Sequence, residues 1–203
     1  MARLEMLQAN GYPRLSASLL RELEDSLDLL LPDAACAGLV LHGSDKCFAA
    51  GADIAEVGAL TGSMALEFSR RAQLLFERLT ESPKPVVAAV SGYCLGGGFD
   101  LALACHARLA TPDAVFGHPG ATLGLITGWG GTQRLPRLVG RAHAFELLLT
   151  GETVPAERAL ALGLVAELVP LERLLARAVE CAAGPRTAVP SPRSRSFGIR
   201  GSG

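Results

Sequence analysis

The chain has 203 residues, of which 49% are hydrophobic and 19% charged, and its formal net charge is −1. That length and composition fit one soluble domain with a real core, and two full domains would be crowded. The near-neutral balance argues against nucleic acid or an anionic membrane as the partner, and no apolar stretch reaches the length of a membrane span.

In chain order, Leu4 to Ala9 reads as a short strand. Ser16 to Leu31 has helical periodicity, with Leu19, Leu20, Leu23, Leu27 and Leu30 on one stripe and charges opposite. Ala37 to His42 reads as a buried strand, followed by a small-residue loop from Phe48 to Asp53. Ser63 to Thr80 is a second long amphipathic helix. Pro85 to Val90 is a strand, too short and too β-branched for a helix. Gly97 to Cys105 is a helix with a largely apolar body. Arg108 to Ala110 and Ala114 to Phe116 are short strands around the turn Thr111-Pro112-Asp113. Gly130-Gly131-Thr132 leads into a further helix. Arg141 to Leu149 is helical and stops at Gly151, and Pro155 to Leu162 is helical and stops at Gly163. Leu164 to Leu168 is a strand and Leu171 to Ala183 a helix. Strands alternating with helices indicate an α/β fold over residues 1–183. Gly184 to Gly203 is rich in Pro, Ser, Arg and Gly, and is expected to be a disordered tail.

The five cysteines (Cys36, Cys47, Cys94, Cys105, Cys181) are scattered, odd in number and without a CxxC pair, which argues against a disulfide framework and against a metal site. Met1 to Glu5 lacks a hydrophobic signal region, so a cytoplasmic location is expected.

Two segments invite a small anion: Phe48-Ala49-Ala50-Gly51-Ala52-Asp53, and Ser91 to Asp100 with its run Gly96-Gly97-Gly98. Small residues let a backbone approach a ligand, and a Gly run that opens a helix leaves its first N–H groups free. One N–H from each segment would make an oxyanion hole. The glycines fit neither G-x-G-x-x-G nor a P-loop, and no G-x-S-x-G elbow is present.

Phe48 to Ile54, Gly92-Tyr93-Cys94-Leu95-Gly96-Gly97-Gly98, Gly130-Gly131-Thr132-Gln133-Arg134-Leu135, Leu149-Thr150-Gly151 and Ala159 to Val165 together resemble the signature of the crotonase (enoyl-CoA hydratase/isomerase) superfamily. The resemblance runs from about Ser16 to Ala183, with the motifs in order. It implies a spiral of ββα units, a homotrimer or hexamer, and an acyl-CoA thioester as substrate, with no cofactor beyond the coenzyme A of that substrate. It also implies C-terminal helices that Gly184 to Gly203 does not resemble. By the same resemblance, Ala52 and Gly97 would donate the two N–H groups to a thioester enolate. Ala50 to Ile54, including Asp53, would face the coenzyme A portion through backbone groups.

The family's hydratases carry two glutamates. The first falls at Asp100, one methylene shorter, and the second at Gly120, which carries nothing. Water addition needs a base for the water and an acid for the carbon, so this pattern argues against ordinary hydratase chemistry. A double-bond shift, a decarboxylation or another lyase reaction needs less. Asp100 is the expected acid/base, and helix dipole and hydrogen bonds are expected to hold its pKa low unless the pocket is dry. A non-catalytic acyl-CoA-binding member or assembly subunit is the alternative. His118, two residues before the vacant position, could replace the missing group, although a lone histidine is more often structural. Trp129 reads equally as a wall of the acyl pocket or as a packing anchor. Cys94 could be a nucleophile, but a small cysteine after a strand is usually packing. His42, His106 and His143 read as structural or exposed, and Asp53 as the N-cap of a short helix from Ile54.

Overall fold

The structure, a computed structural model, describes residues 1–6 and 8–184. Its elements are β1 (Ala2–Glu5), α1 (Ala17–Leu30), β2 (Leu39–His42), β3 (Cys47–Ala49), α2 (Ile54–Gly58), α3 (Gly62–Glu81), β4 (Val86–Val90), β5 (Tyr93–Leu95), α4 (Gly97–Ala104), β6 (Ala107–Ala110), β7 (Val115–Gly117), a 3-10 turn (Pro119–Leu123), α5 (Gly131–Val139), α6 (Arg141–Thr150), β8 (Thr153–Pro155), α7 (Ala156–Ala161), β9 (Glu167–Leu168) and α8 (Leu171–Ala183). The expected disorder of the tail falls on residues 185–203, outside the described residues.

The strands form two sheets, ordered β1-β2-β4-β6-β9 and β3-β5-β7-β8. Every pairing is parallel except β7 with β8. The consecutive pairs β2/β3, β4/β5 and β6/β7 each give their first strand to the larger sheet and their second to the smaller, and helices follow. This is the spiral of ββα units implied by the resemblance.

Strands β2, β4 and β6 are apolar nearly throughout because both of their faces are covered. Leu39, Leu41, Val86, Ala88 and Val90 face the main core with Leu20, Leu23 and Leu27 of α1 and Leu75, Phe76 and Leu79 of α3. The alternate residues Val40, Val87, Ala89, Ala107 and Leu109 face Leu174, Ala178 and Ala182 of α8. The period-2 pattern therefore sets which side of the sheet each helix covers.

Some strands depart from the sequence expectation. Phe48 and Ala49 belong to β3 rather than to a loop, and β5 and β8 were not anticipated. Each has three residues, too few to carry a period. Only Glu167–Leu168 of the expected strand from Leu164 pairs in the sheet. The first strand lies at Ala2–Glu5, in register with Leu39–His42, rather than running to Ala9.

Helix α4 is the element that places the site. It is buried from Gly98 to Ala104. A Cβ on Gly98 would collide with the Ala49 carbonyl, so this glycine is what lets α4 lie against β3. At its other end the wholly buried guanidinium of Arg108 donates to Ala102 O (3.2 Å), Cys105 O (2.8 Å) and Leu164 O (2.6 Å). A cation thus satisfies the last carbonyls of the helix, where the dipole favours positive charge.

Several apolar side chains remain exposed. Leu123, Leu125 and Ile126 beside the 3-10 turn, and Phe145 and Leu149 on the adjoining α6, are among the most prominent. Among the described residues no helix is long and apolar enough to cross a membrane.

Candidate active site

Gly96 and Gly51 adopt φ of +53° and +97°, conformations that side chains disfavour. They let two backbones meet. A Cβ on Gly51 would stand 3.4 Å from Leu95 O and 3.7 Å from Gly97 N, and one on Gly96 would stand 3.5 Å from Gly51 Cα. The segment 50–54 and the start of α4 therefore touch through main chain alone.

Gly97 is the first residue of α4, and its Gly96 N-cap offers no side-chain acceptor. The Gly51 carbonyl accepts from Leu15 N at 2.8 Å. Across a trans peptide the N–H points opposite to the C=O, so the Ala52 N–H is turned away from Leu15. Among the described residues neither the Ala52 nor the Gly97 N–H donates a hydrogen bond.

Asp100 lies one turn into α4 and is only 1% exposed. Thr127 Oγ1 donates to its Oδ2 through a short contact, and His118 Nε2 lies 3.4 Å from its Oδ1. Burial pushes the carboxyl up to about 7, against the lowering effect of Thr127, the Trp129 and Gly131 backbone and the Arg134 guanidinium. The exception allowed in the sequence reading holds: the carboxyl is buried, and desolvation outweighs the hydrogen bonds and the dipole. His118, buried beside the Phe99 ring (centroids 4.9 Å apart), is pushed down to about 4 by desolvation. A Cβ on Gly131 would collide with Asp100 Oδ1 and stand 3.1 Å from His118 Nε2.

Trp129 packs on the Cα of Gly97, where any side chain would collide with its ring. It is also held edge-on by Phe68 (5.4 Å) and Phe76 (5.8 Å). The loop 127–131 therefore covers both Gly97, through Trp129, and Asp100, through Thr127 and Gly131. Trp129 is a packing anchor that also bounds the space at the start of α4.

A sequence model described as enoyl-CoA hydratase/isomerase matches residues 8–190. The chain belongs to the enoyl-CoA hydratase/isomerase family. It is 46% identical over 151 residues to a probable enoyl-CoA hydratase of Bacillus subtilis (strain 168), covering 74% of this chain and 58% of that protein. It is 43% identical over 165 residues to a crotonyl-CoA hydratase of Syntrophomonas wolfei, covering 81% and 64%. The chain thus spans less than two thirds of the length of these curated relatives. The crystal structure of an enoyl-CoA hydratase from Bacillus anthracis superposes with a TM-score of 0.84 at 36% identity, over 89% of this chain and 70% of that one.

Within this enoyl-CoA hydratase/isomerase fold the remaining candidates separate. A Cβ on Gly120 would meet nothing closer than Leu125 Cβ at 3.5 Å, so the vacancy is not imposed by space or backbone. Ala50 N donates to Pro13 O (2.7 Å), and among the described residues no backbone N–H donates to the Ala50 carbonyl. The Asp53 carboxylate caps α2 by accepting from Ala55 N (3.0 Å) and Glu56 N (3.3 Å). The Ile54 side chain is exposed. Cys94 is fully buried beside Gly98 O, and desolvation drives its thiol well above the usual range, which removes it as a nucleophile. His106 accepts from Val86 N (2.9 Å) and its Nε2 meets Thr80 O (3.1 Å), a structural role. His42 meets Gly43 O at 3.1 Å, and His143 pairs with Glu146 at the surface. Thr127 escaped sequence reasoning. Its only signal was one hydroxyl in a Gly-rich loop, and nothing local ties that loop to Asp100.

Proposed function

We propose that this protein is an acyl-CoA-processing enzyme that stabilises a thioester enolate between the N–H groups of Ala52 and Gly97, with Asp100 as its acid/base group. The observation that carries this reading is the contact of the Gly51 and Gly96–Gly97 backbones, with both amides unspent. Preorganised N–H groups at a helix start, in a site closed by Trp129, are worth most where charge develops on an oxygen.

The chemistry within reach is a double-bond shift. Ionised Asp100 takes a proton from Cα of a β,γ-enoyl thioester, and the electron pair moves to the carbonyl oxygen held by the two amides. The same carboxyl then returns the proton to Cγ as the enolate collapses. One carboxyl with a pKa near neutrality suits both directions. Hydration also needs a group to activate water, and Gly120 supplies none. Coenzyme A would lie along residues 50–54, using the Ala50 carbonyl and the exposed Ile54. The Asp53 carboxylate, already spent on its cap, would not contribute. The exposed apolar set around Phe145 and Leu149 supports assembly as a homotrimer or hexamer.

A second reading, a non-catalytic acyl-CoA-binding member or assembly subunit, is favoured by the bare Gly120 and the deep burial of Asp100. A panel of acyl-CoA thioesters followed by mass spectrometry separates the two. Turnover that Asp100→Asn abolishes supports the enzyme; binding without turnover of any thioester supports the second reading. Hydration appearing in Gly120→Glu would identify the empty position as the reason for its absence.

A further inference from the structure

Among the described residues three buried side-chain polar atoms lack a hydrogen-bond partner, and two of them, Asp100 Oδ1 and His118 Nε2, face each other at 3.4 Å. Orphaned polar atoms are rare in protein interiors. Here the two orphans are complementary. A proton on Oδ1 can be donated to Nε2, and a proton on Nε2 can be donated to ionised Oδ1. Oδ2 accepts from Thr127, and Gly131 lies against Oδ1 and Nε2 without space for a side chain.

We propose that His118 is a positioning residue for Asp100, holding the Oδ1 edge of the carboxyl so that the pair keeps one exchangeable proton and delivers it to the acyl chain. This rests on the reading of Asp100 as the acid/base group. In the double-bond shift the proton leaves Cα for Oδ2 of the carboxyl, while Oδ1 goes on accepting from the imidazole Nε2–H. The proton's return to Cγ restores the ionised carboxylate, which still accepts from the imidazole N–H. Neither step needs a second acid at Gly120.

The groups facing the pair are few. The Thr127 hydroxyl and the Trp129 backbone come from the loop before α5, the Gly131 backbone and Arg134 from α5, and the Cys94 thiol from β5. The Phe99 ring of α4 packs on the imidazole. Arg134 stays protonated and the buried Cys94 stays a thiol, so ordinary titration at this place belongs to Asp100 and His118. Burial favours the uncharged form of both, which puts the shared proton on the carboxyl between about 4 and about 7.

The test compares His118→Phe, which keeps ring volume without a polar atom, with His118→Gln, whose amide can reach Oδ1. The pH profile of kcat is measured on a β,γ-enoyl-CoA, alongside 15N NMR of the His118 ring in the wild type and in Asp100→Asn. The expected result is a fall in kcat of about 100-fold in His118→Phe, little change in KM, a displaced pH midpoint, and partial recovery in His118→Gln. The His118 titration should also move in Asp100→Asn. Wild-type kcat and pH midpoint in His118→Phe would overturn the proposal, as would a His118 titration indifferent to Asp100→Asn. If the wild type acts on no thioester, the acid/base reading of Asp100 fails, and the NMR comparison still decides whether the pair shares a proton.

Discussion

Asp100 and His118 are each held in the form that an interior prefers, and their opposite shifts nearly cancel in the stability of the molecule. The Asp100 pKa is raised to about 7, so the folded state binds a proton that the unfolded state has lost, and this contribution to stability fades as pH rises from about 4 through 7. His118 is lowered to about 4, so the unfolded state binds a proton that the folded state refuses, and its contribution fades as pH falls from about 6.5 through 4. Between those limits both states hold one proton on the pair, and the wild type has almost no slope from it. Single variants unmask the parts. Relative to wild type, Asp100→Asn should gain stability as pH rises from 4 to 6.5. His118→Phe should lose stability steadily as pH rises from 4 to 7. Urea midpoints across that range measure both slopes, and parallel curves for all three proteins would contradict the assignment.

At the scale of elements, the contact of α4 with β3 decides whether the two amides can converge. A Cβ at Gly98 would run into the Ala49 carbonyl, a backbone atom that cannot rotate aside. Gly98→Ala should therefore cost about 1–3 kcal/mol of overpacking and abolish thioester turnover by lifting α4. Gly120→Ala, whose Cβ meets only ordinary contacts, should stay within about 0.5 kcal/mol of wild type. Thermal unfolding of the two variants distinguishes them, and equal melting points would refute the steric account.

The same elements separate what was legible in the sequence from what was not. Helix α8 emerges with its expected bounds, Leu171–Ala183, because a stripe such as Leu174, Ala178 and Ala182 repeats over several turns. Asp53 was readable as an N-cap because capping is a local event. The start of α4 at Gly97 was readable because a Gly run after a strand marks where a helix can open. Strands β3, β5 and β8 were not, since a three-residue strand is defined by its neighbour rather than by its own pattern. The meeting of Asp100, Thr127 and His118 was illegible for a related reason: it joins α4, the loop before α5 and the residue between β7 and the 3-10 turn. The rise in the Asp100 pKa follows from that enclosure, which no window of sequence contains.

At the scale of the whole molecule, the larger sheet is sealed between α8 and the main core, while the surface at the 3-10 turn and α6 leaves Leu123, Leu125, Ile126, Phe145 and Leu149 in water. If copies of the chain cover these side chains, folding and association become one equilibrium, governed by mass action. Resistance to heat would then be a property of the solution rather than of the single chain. Dilution would lower the melting temperature, and Leu149→Arg should give a protomer that melts at the same temperature at every concentration. Sedimentation of the wild type as a monomer, with melting indifferent to dilution, would return that surface to solvent.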